Sequence, residues 1–257
     1  MIRESRIMDI DKIIEEVIGE IRGSGPRCPD GRLKSVCACE VPARLEHSLL
    51  NPDVSLAKIR EECAQARRYC VAAVCVAPYY IAEAREILSG SGVKVGTAVG
   101  FPHGCMSTAA KLADVRDCVV SGAQEIDVAV NILAVKSGNF DDARREFEQV
   151  AQILQGKAVL KAVFEHSVYS DEEKIKVLQL AKECGAGYVK IQNVLSGKPA
   201  DTAQIRQVRD ILGRNIKIKI DGGVKTLDKA LELIGAGADR IGLTATVAIA
   251  KEAEGRS

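Results

Sequence analysis

From residue 45 onward, short apolar runs alternate with longer stretches in which apolar residues recur at helical spacing. The short runs fall at 45–50, 71–77, 94–101, 125–131, 159–165, 188–192, 216–221 and 240–245, and each is predicted to be a strand. The stretches at 59–69, 81–88, 108–120, 141–154, 171–184, 202–212 and 227–234 are predicted helices, and Gly122, Gly156, Gly185 and Gly235 stand where several of them stop. This alternation favours a parallel sheet closed as a (β/α)8 TIM barrel of the α/β class, over residues 43–257. An open doubly wound sheet is the alternative. It normally carries a glycine-rich turn after its first strand, and Leu49-Leu50-Asn51-Pro52-Asp53 has none.

A different pattern precedes the barrel. Ile10, Ile13, Ile14, Val17, Ile18 and Ile21 form one apolar stripe at helical spacing, with Asp9 placed as a cap and Glu15, Glu16 and Arg22 on the other face. Residues 1–22 are therefore predicted to be an amphipathic helix. Gly23-Ser24-Gly25-Pro26 ends it, and 23–42 reads as a flexible linker. Such a helix needs a groove. Either it folds back on the barrel, as an end cap or a dimer contact, or it docks to a separate partner.

Composition narrows the function classes. An apolar content of 47% supplies a sizeable core, and 4% aromatic residues with no Trp makes it a core of Val, Ile, Leu and Ala. The net charge of +1 gives no electrostatic footprint for nucleic acid or an anionic membrane. Nine cysteines scattered through 257 residues, with no apolar leader segment, point to a reducing cytoplasm. Cys28, Cys37 and Cys39 lie close together, but their spacing matches no standard ligand set and no histidine is near. Free thiols and no metal are expected.

The candidate chemistry centres on Tyr188-Val189-Lys190-Ile191-Gln192, a strand with a lysine in its middle. Desolvating an ammonium costs several kcal/mol, about 3 or more, unless it is paired. The pattern recurs in Ile216-Lys217-Ile218-Lys219-Ile220-Asp221, which ends in Gly222-Gly223. Lysines on successive parallel strands can face one another, and each then depresses the other's proton affinity, which makes a nucleophilic amine. Barrel enzymes carry their reactive groups at the C-terminal strand ends. There the sequence places Glu46, His47, Cys75, Asp127, Asn131, Glu165, His166, Lys190, Gln192, Lys219 and Asp221. Asp127 shares a strand face with Glu125, Ala129 and Asn131, so its carboxylate can hold one lysine charged while the other stays free. The plainer reading makes Lys190 and Lys219 solvated edge lysines, Asp127 a ligand of backbone amides and Cys75 a core residue. His103 and His166 read as hydrogen-bonded structural groups.

The runs Glu46-His47-Ser48-Leu49-Leu50, Val74-Cys75-Val76-Ala77-Pro78-Tyr79-Tyr80, Gly100-Phe101-Pro102-His103-Gly104, Glu125-Ile126-Asp127-Val128, Lys136-Ser137-Gly138-Asn139 and Lys219-Ile220-Asp221-Gly222-Gly223-Val224-Lys225-Thr226 resemble the deoxyribose-phosphate aldolases, which are class I aldolases. The resemblance covers about 45–249. It implies a Schiff base on Lys190, a neighbouring Lys219 that lowers its pKa, and Asp127 in proton relay with Lys219. It implies further that Glu46, Ser48, Cys75, Gly222, Gly223, Gly242 and Thr244 line the substrate site. The implied reaction cleaves 2-deoxyribose 5-phosphate reversibly to glyceraldehyde 3-phosphate and acetaldehyde, without metal or organic cofactor. The helix and linker at the front resemble the encapsulation peptides that direct enzymes into bacterial microcompartments, so a shell protein is the implied partner of residues 9–22. A homodimer is the default assembly.

Three departures bear on substrate. Lys190 is followed by Ile191-Gln192-Asn193-Val194, where the family has a Thr-Ser-Thr-Gly segment; Ser196-Gly197-Lys198 comes slightly later. The last strand reads Gly242-Leu243-Thr244-Ala245-Thr246 in place of small residues and serines, and the first carries Glu46 and Ser48 for the family's Asp and Thr. A related phosphosugar is therefore an alternative substrate. A barrel kept for binding or scaffolding, with turnover lost, and a phosphosugar epimerase or isomerase are the rival functions.

Overall fold

The computed structural model describes residues 37–256. The predicted helix at 1–22 and most of the predicted linker lie outside that range. Eight parallel strands close into a barrel in chain order, β1 pairing with β8. They are β1 (Leu45–Leu49), β2 (Ala73–Val76), β3 (Lys94–Val99), β4 (Glu125–Ala129), β5 (Val159–Glu165), β6 (Tyr188–Gln192), β7 (Lys217–Asp221) and β8 (Arg240–Leu243). The helices around them are α1 (Leu56–Arg68), α2 (Ile81–Ile87), α3 (Thr108–Val120), α4 (Ile132–Lys136), α5 (Phe140–Leu154), α6 (Asp171–Glu183), α7 (Thr202–Leu212), α8 (Leu227–Gly235) and α9 (Thr246–Gly255). Ahead of β1, Ala38–Glu40 and Pro42–Arg44 are 3-10 turns, and Val41 between them is buried in the core.

The barrel has two interiors, and strand alternation sorts residues between them. Val189 and Ile191 of β6 and Ile218 and Ile220 of β7 point outward into an apolar layer completed by Phe147, Leu178, Ile205 and Leu233 of the helices. Each such side chain contributes about 1.5–3 kcal/mol on burial. The opposite face of the same strands carries Lys190 and Lys219 into the barrel axis, where both are buried. The apolar layer thus fixes the register that aims the polar one.

Local signals set where the helices begin. Ser55, Ser107, Asn131 and Thr226 accept from backbone N–H groups in the first turns of α1, α3, α4 and α8. Ser170 with Glu173 and Asp201 with Gln204 form reciprocal capping boxes on α6 and α7. Asn131, expected at a strand end, is the cap of α4, which shortens β4 to Ala129. Two helices were not expected. α4 is too short to show a period, and α9 is rich in alanine, which marks its apolar face weakly. Gly235 is the last residue of α8, not its stop; Gly237, with φ +112°, takes the left-handed turn. Among the described residues no helix is long and apolar enough to cross a membrane.

Candidate active site

Four carboxylates and four cations meet inside the barrel: Glu46, Glu125, Asp127 and Asp221 with Lys161, Lys190, Lys219 and Arg240. They form two layers. In the lower layer Lys161 Nζ lies 2.6 Å from both Glu46 Oε2 and Glu125 Oε2. Arg240 reaches the same two oxygens, each at 3.2 Å, and donates to Tyr188 Oη at 3.3 Å. Glu46 also accepts from Lys219 through Oε1.

The upper layer opens toward the C-terminal ends of the strands. Register pairs Lys190 with Lys219 on neighbouring strands. Asp127 Oδ2 bridges them, 2.9 Å from Lys190 Nζ and 2.8 Å from Lys219 Nζ, while its Oδ1 lies 3.3 Å from Lys161. Asp221 Oδ2 is 2.8 Å from Lys190 Nζ. The Phe101 ring covers that ammonium at 5.0 Å, leaving Lys190 1% exposed. Gln192 donates to the Pro102 carbonyl at 2.9 Å, so the loop after β3 is tied across to β6. Three buried oxygens here lack hydrogen-bond partners, Gln192 Oε1, Asp127 Oδ1 and Asp221 Oδ1.

The electrostatics follow from these contacts. Burial pushes Glu46 up, but Lys161, Lys219 and Arg240 outweigh it and hold the carboxyl at about 2. Asp127 is likewise held well below the usual carboxylate range, with burial opposed by Lys161, Lys190 and Lys219. Burial lowers Lys190 and the Lys219 charge lowers it further, yet Asp127 and Asp221 prevail and its net shift is upward. The expectation that Lys219 leaves Lys190 a free amine is therefore corrected. The sequence shows the neighbouring ammonium but not two carboxylates within 3 Å of the same nitrogen. Cys75, fully buried beside this cluster, is pushed up to about 12 by burial and by Asp127, which keeps it a thiol.

Several expected residues stand elsewhere than the sequence suggested. Glu46 has both oxygens on cations and no exposure, so it braces lysines and does not face a substrate. Ser48 is half-buried at the end of β1 and Thr244 is exposed past β8. Gly222 and Gly223 adopt positive φ, +120° and +68°, beneath the segment Lys198-Pro199-Ala200, whose Ala200 N–H donates to the Gly222 carbonyl. Gly242 faces Asp221, and a Cβ there would fall 2.0 Å from Asp221 Oδ1. His47 and His166 are satisfied structurally, the first by Glu62 and Thr246, the second by Gln204 and Gln207. Lys161 was missed. It carries the signal that singled out Lys190, a lysine inside an apolar strand, in Val159-Leu160-Lys161-Ala162-Val163.

A cavity of about 430 Å³, lined by Thr108, Asn131, Ser137 and Glu146 among others, lies at α3, α4 and α5 and includes none of the barrel lysines. Beside it Lys111 and Glu146 form a buried ion pair that also engages the Ala129 carbonyl and Thr108.

Fold and site together define a β/α-barrel enzyme whose C-terminal mouth ends on a buried amine held between carboxylates. Residues 41–250 match the model of the DeoC/LacD family aldolase, and the chain belongs to that family. It is 40% identical over 208 residues to a deoxyribose-phosphate aldolase of Alkaliphilus oremlandii, covering 81% of this chain and 94% of that one. With the deoxyribose-phosphate aldolase of Dictyoglomus turgidum it shares 37% identity over 210 residues, 82% of this chain and 95% of the other. Among solved structures it is similar to the aldolase QR15, at 30% identity and a TM-score of 0.80, covering 84% of this chain and 97% of that one.

Proposed function

We propose that this protein is a class I aldolase that cleaves 2-deoxyribose 5-phosphate reversibly to glyceraldehyde 3-phosphate and acetaldehyde. The observation that carries the reading is Lys190 Nζ, placed at the mouth of the barrel within 3 Å of two carboxylates and beside Lys219. The named activity of the relatives supplies the sugar. Lys190 attacks the C1 aldehyde of the open-chain substrate, and the protonated imine acts as an electron sink. Loss of the C3 hydroxyl proton breaks the C2–C3 bond, and the enamine is protonated and hydrolysed to acetaldehyde. Asp127 and Lys219 serve as the relay that positions charge beside the imine. Gly222, Gly223 and Thr244 take the phosphate end, where the bare backbone of the glycines permits close approach, while Gly242 gives Asp221 its room and Ser48 and Cys75 line the wall.

Mass spectrometry after incubation with the sugar and sodium borohydride tests this. The expected result is a substrate-dependent adduct on Lys190 that the Lys190→Ala chain lacks. Absence of an adduct with either the sugar or acetaldehyde would transfer support to the binding-protein reading.

The amphipathic pattern of residues 9–22 supports a second element, delivery to a microcompartment shell by a helix on a tether. Acetaldehyde is volatile and reactive, so releasing it inside a shell limits its escape. A reporter fused to residues 1–26 is expected to co-localise with shells; a diffuse reporter refutes the assignment.

A further inference from the structure

The relay proposed above leaves one step without an actor. Lys190 is an ammonium in this arrangement, and an ammonium is no nucleophile until it loses a proton. Asp127 is badly placed to take it. Three ammoniums surround its carboxylate, at 2.8, 2.9 and 3.3 Å, and it has no exposure. Asp221 differs on each count. Its Oδ2 touches Lys190 at 2.8 Å and the second ammonium, Lys219, stands off at 3.7 Å from its Oδ1, an oxygen that like Asp127 Oδ1 makes no hydrogen bond. Its side chain is 21% exposed, whereas Glu46 and Asp127 are sealed. The opposing residue on β8 is Gly242, whose missing Cβ makes the room this carboxylate occupies.

The geometry points to Asp221 as a catalytic acid–base of imine formation, the group that takes the Lys190 proton and returns it to the departing oxygen. This rests on the Schiff-base reading. Asp221 carboxylate removes one proton from the Lys190 ammonium, and the freed amine adds to the aldehyde carbon, forming the N–C bond as the carbonyl π pair moves to oxygen. Asp221 gives its proton to that oxygen, takes a second from the nitrogen, and delivers it to the hydroxyl, which leaves as water. The product is a protonated imine. Two of the three ammonium protons depart in the water, Asp221 ends as it began, and no co-reactant is consumed.

The test is the single-turnover rate of borohydride-trappable imine, with acetaldehyde as the probe so that sugar and phosphate recognition do not enter. The parent chain is the control for the reading beneath: if it traps no acetaldehyde, the Schiff-base assignment fails on its own account. Asp221→Asn is expected to slow imine formation about 100-fold or more. Asp221→Glu should recover most of the rate, and formate should accelerate Asp221→Ala in proportion to its concentration. Gly242→Ala leaves every charge in place but presses a methyl onto Asp221, and should slow the step as well. A folded Asp221→Asn or Gly242→Ala chain that forms imine at the parent rate overturns the proposal. So does slowing that neither Glu nor formate relieves, since Asp221 would then only hold the ammonium.

Discussion

Lys161 and Lys190 sit mid-strand on adjacent strands of one barrel, both buried and both between carboxylates, yet their surroundings differ in one respect. Lys161 lies in a lower layer, where Glu46, Glu125, Arg240 and Tyr188 answer one another and Lys161 and Glu46 themselves have no exposure. Lys190 lies one layer nearer the mouth, beside three oxygens with no hydrogen-bond partner and a carboxylate whose side chain is partly exposed. The same residue types therefore do opposite work. A saturated ion cluster braces the barrel, and an incompletely saturated one retains groups able to exchange protons.

The sharpest way to break this contrast is a pair of substitutions. Lys190→Ala should reduce aldol cleavage roughly 10⁴-fold or more while costing the fold roughly 1 kcal/mol, because Asp127 keeps two lysines and Asp221 can hydrate. Lys161→Ala should reverse the balance in stability, costing about 3–5 kcal/mol by leaving the buried Glu46 and Glu125 undercompensated. Urea unfolding alongside steady-state kinetics separates them, and equal destabilisation by both would erase the distinction.

A smaller effect comes from pH. Glu46 titrates near 2 in the fold against 4.5 ordinarily, so its contribution is fully present above pH 4.5 and is lost as pH falls toward 2. The loss should be about 2 kcal/mol by pH 3, of about 3 kcal/mol in full below pH 2, read from urea midpoints at pH 6, 4.5 and 3. Gln192→Met probes the upper layer more gently. It removes the bond to Pro102 that ties the Phe101 loop across the mouth, and should cost about 1 kcal/mol in thermal unfolding, with a several-fold fall in kcat/KM. Smallest is a protection effect. Peptide mapping after alkylation at pH 8 should show Cys70 and Cys105 modified and Cys75 intact, since Cys75 is buried and held a thiol.

Much of this was legible in the sequence because burial leaves a compositional trace. Strands β5 and β6 were read to the residue, and Lys190, Lys219 and Asp127 stood out as charges within apolar runs. The same trace marks Lys161, but the polar end of β5, Glu165 and His166, competed for the reading. Glu165 instead accepts the Val194 and Leu195 N–H groups and shapes the loop after β6. Distances are what the sequence withholds. Whether Lys190 is lowered by Lys219 or raised by Asp127 and Asp221 depends on contacts across three strands, which no local pattern encodes. Asp221 was visible as a residue at a strand end, but its partner Gly242 belongs to another strand, and a glycine in a strand announces space without saying for whom.

Glu46 and Lys219 touch across 173 positions of chain, and Glu46 and Arg240 across 194. During synthesis the carboxylates of β1 and β4 are made long before the cations of β7 and β8 that neutralise them. Until the last strand pairs with the first, the axis holds four carboxylates against three lysines, and loop-closure entropy opposes early assembly. The ion cluster is thus complete only when the barrel is. A chain that stops short of β8 lacks both the strand that seals the cylinder and the guanidinium that balances its oldest carboxylate, so barrel closure and assembly of the reactive centre become one cooperative event.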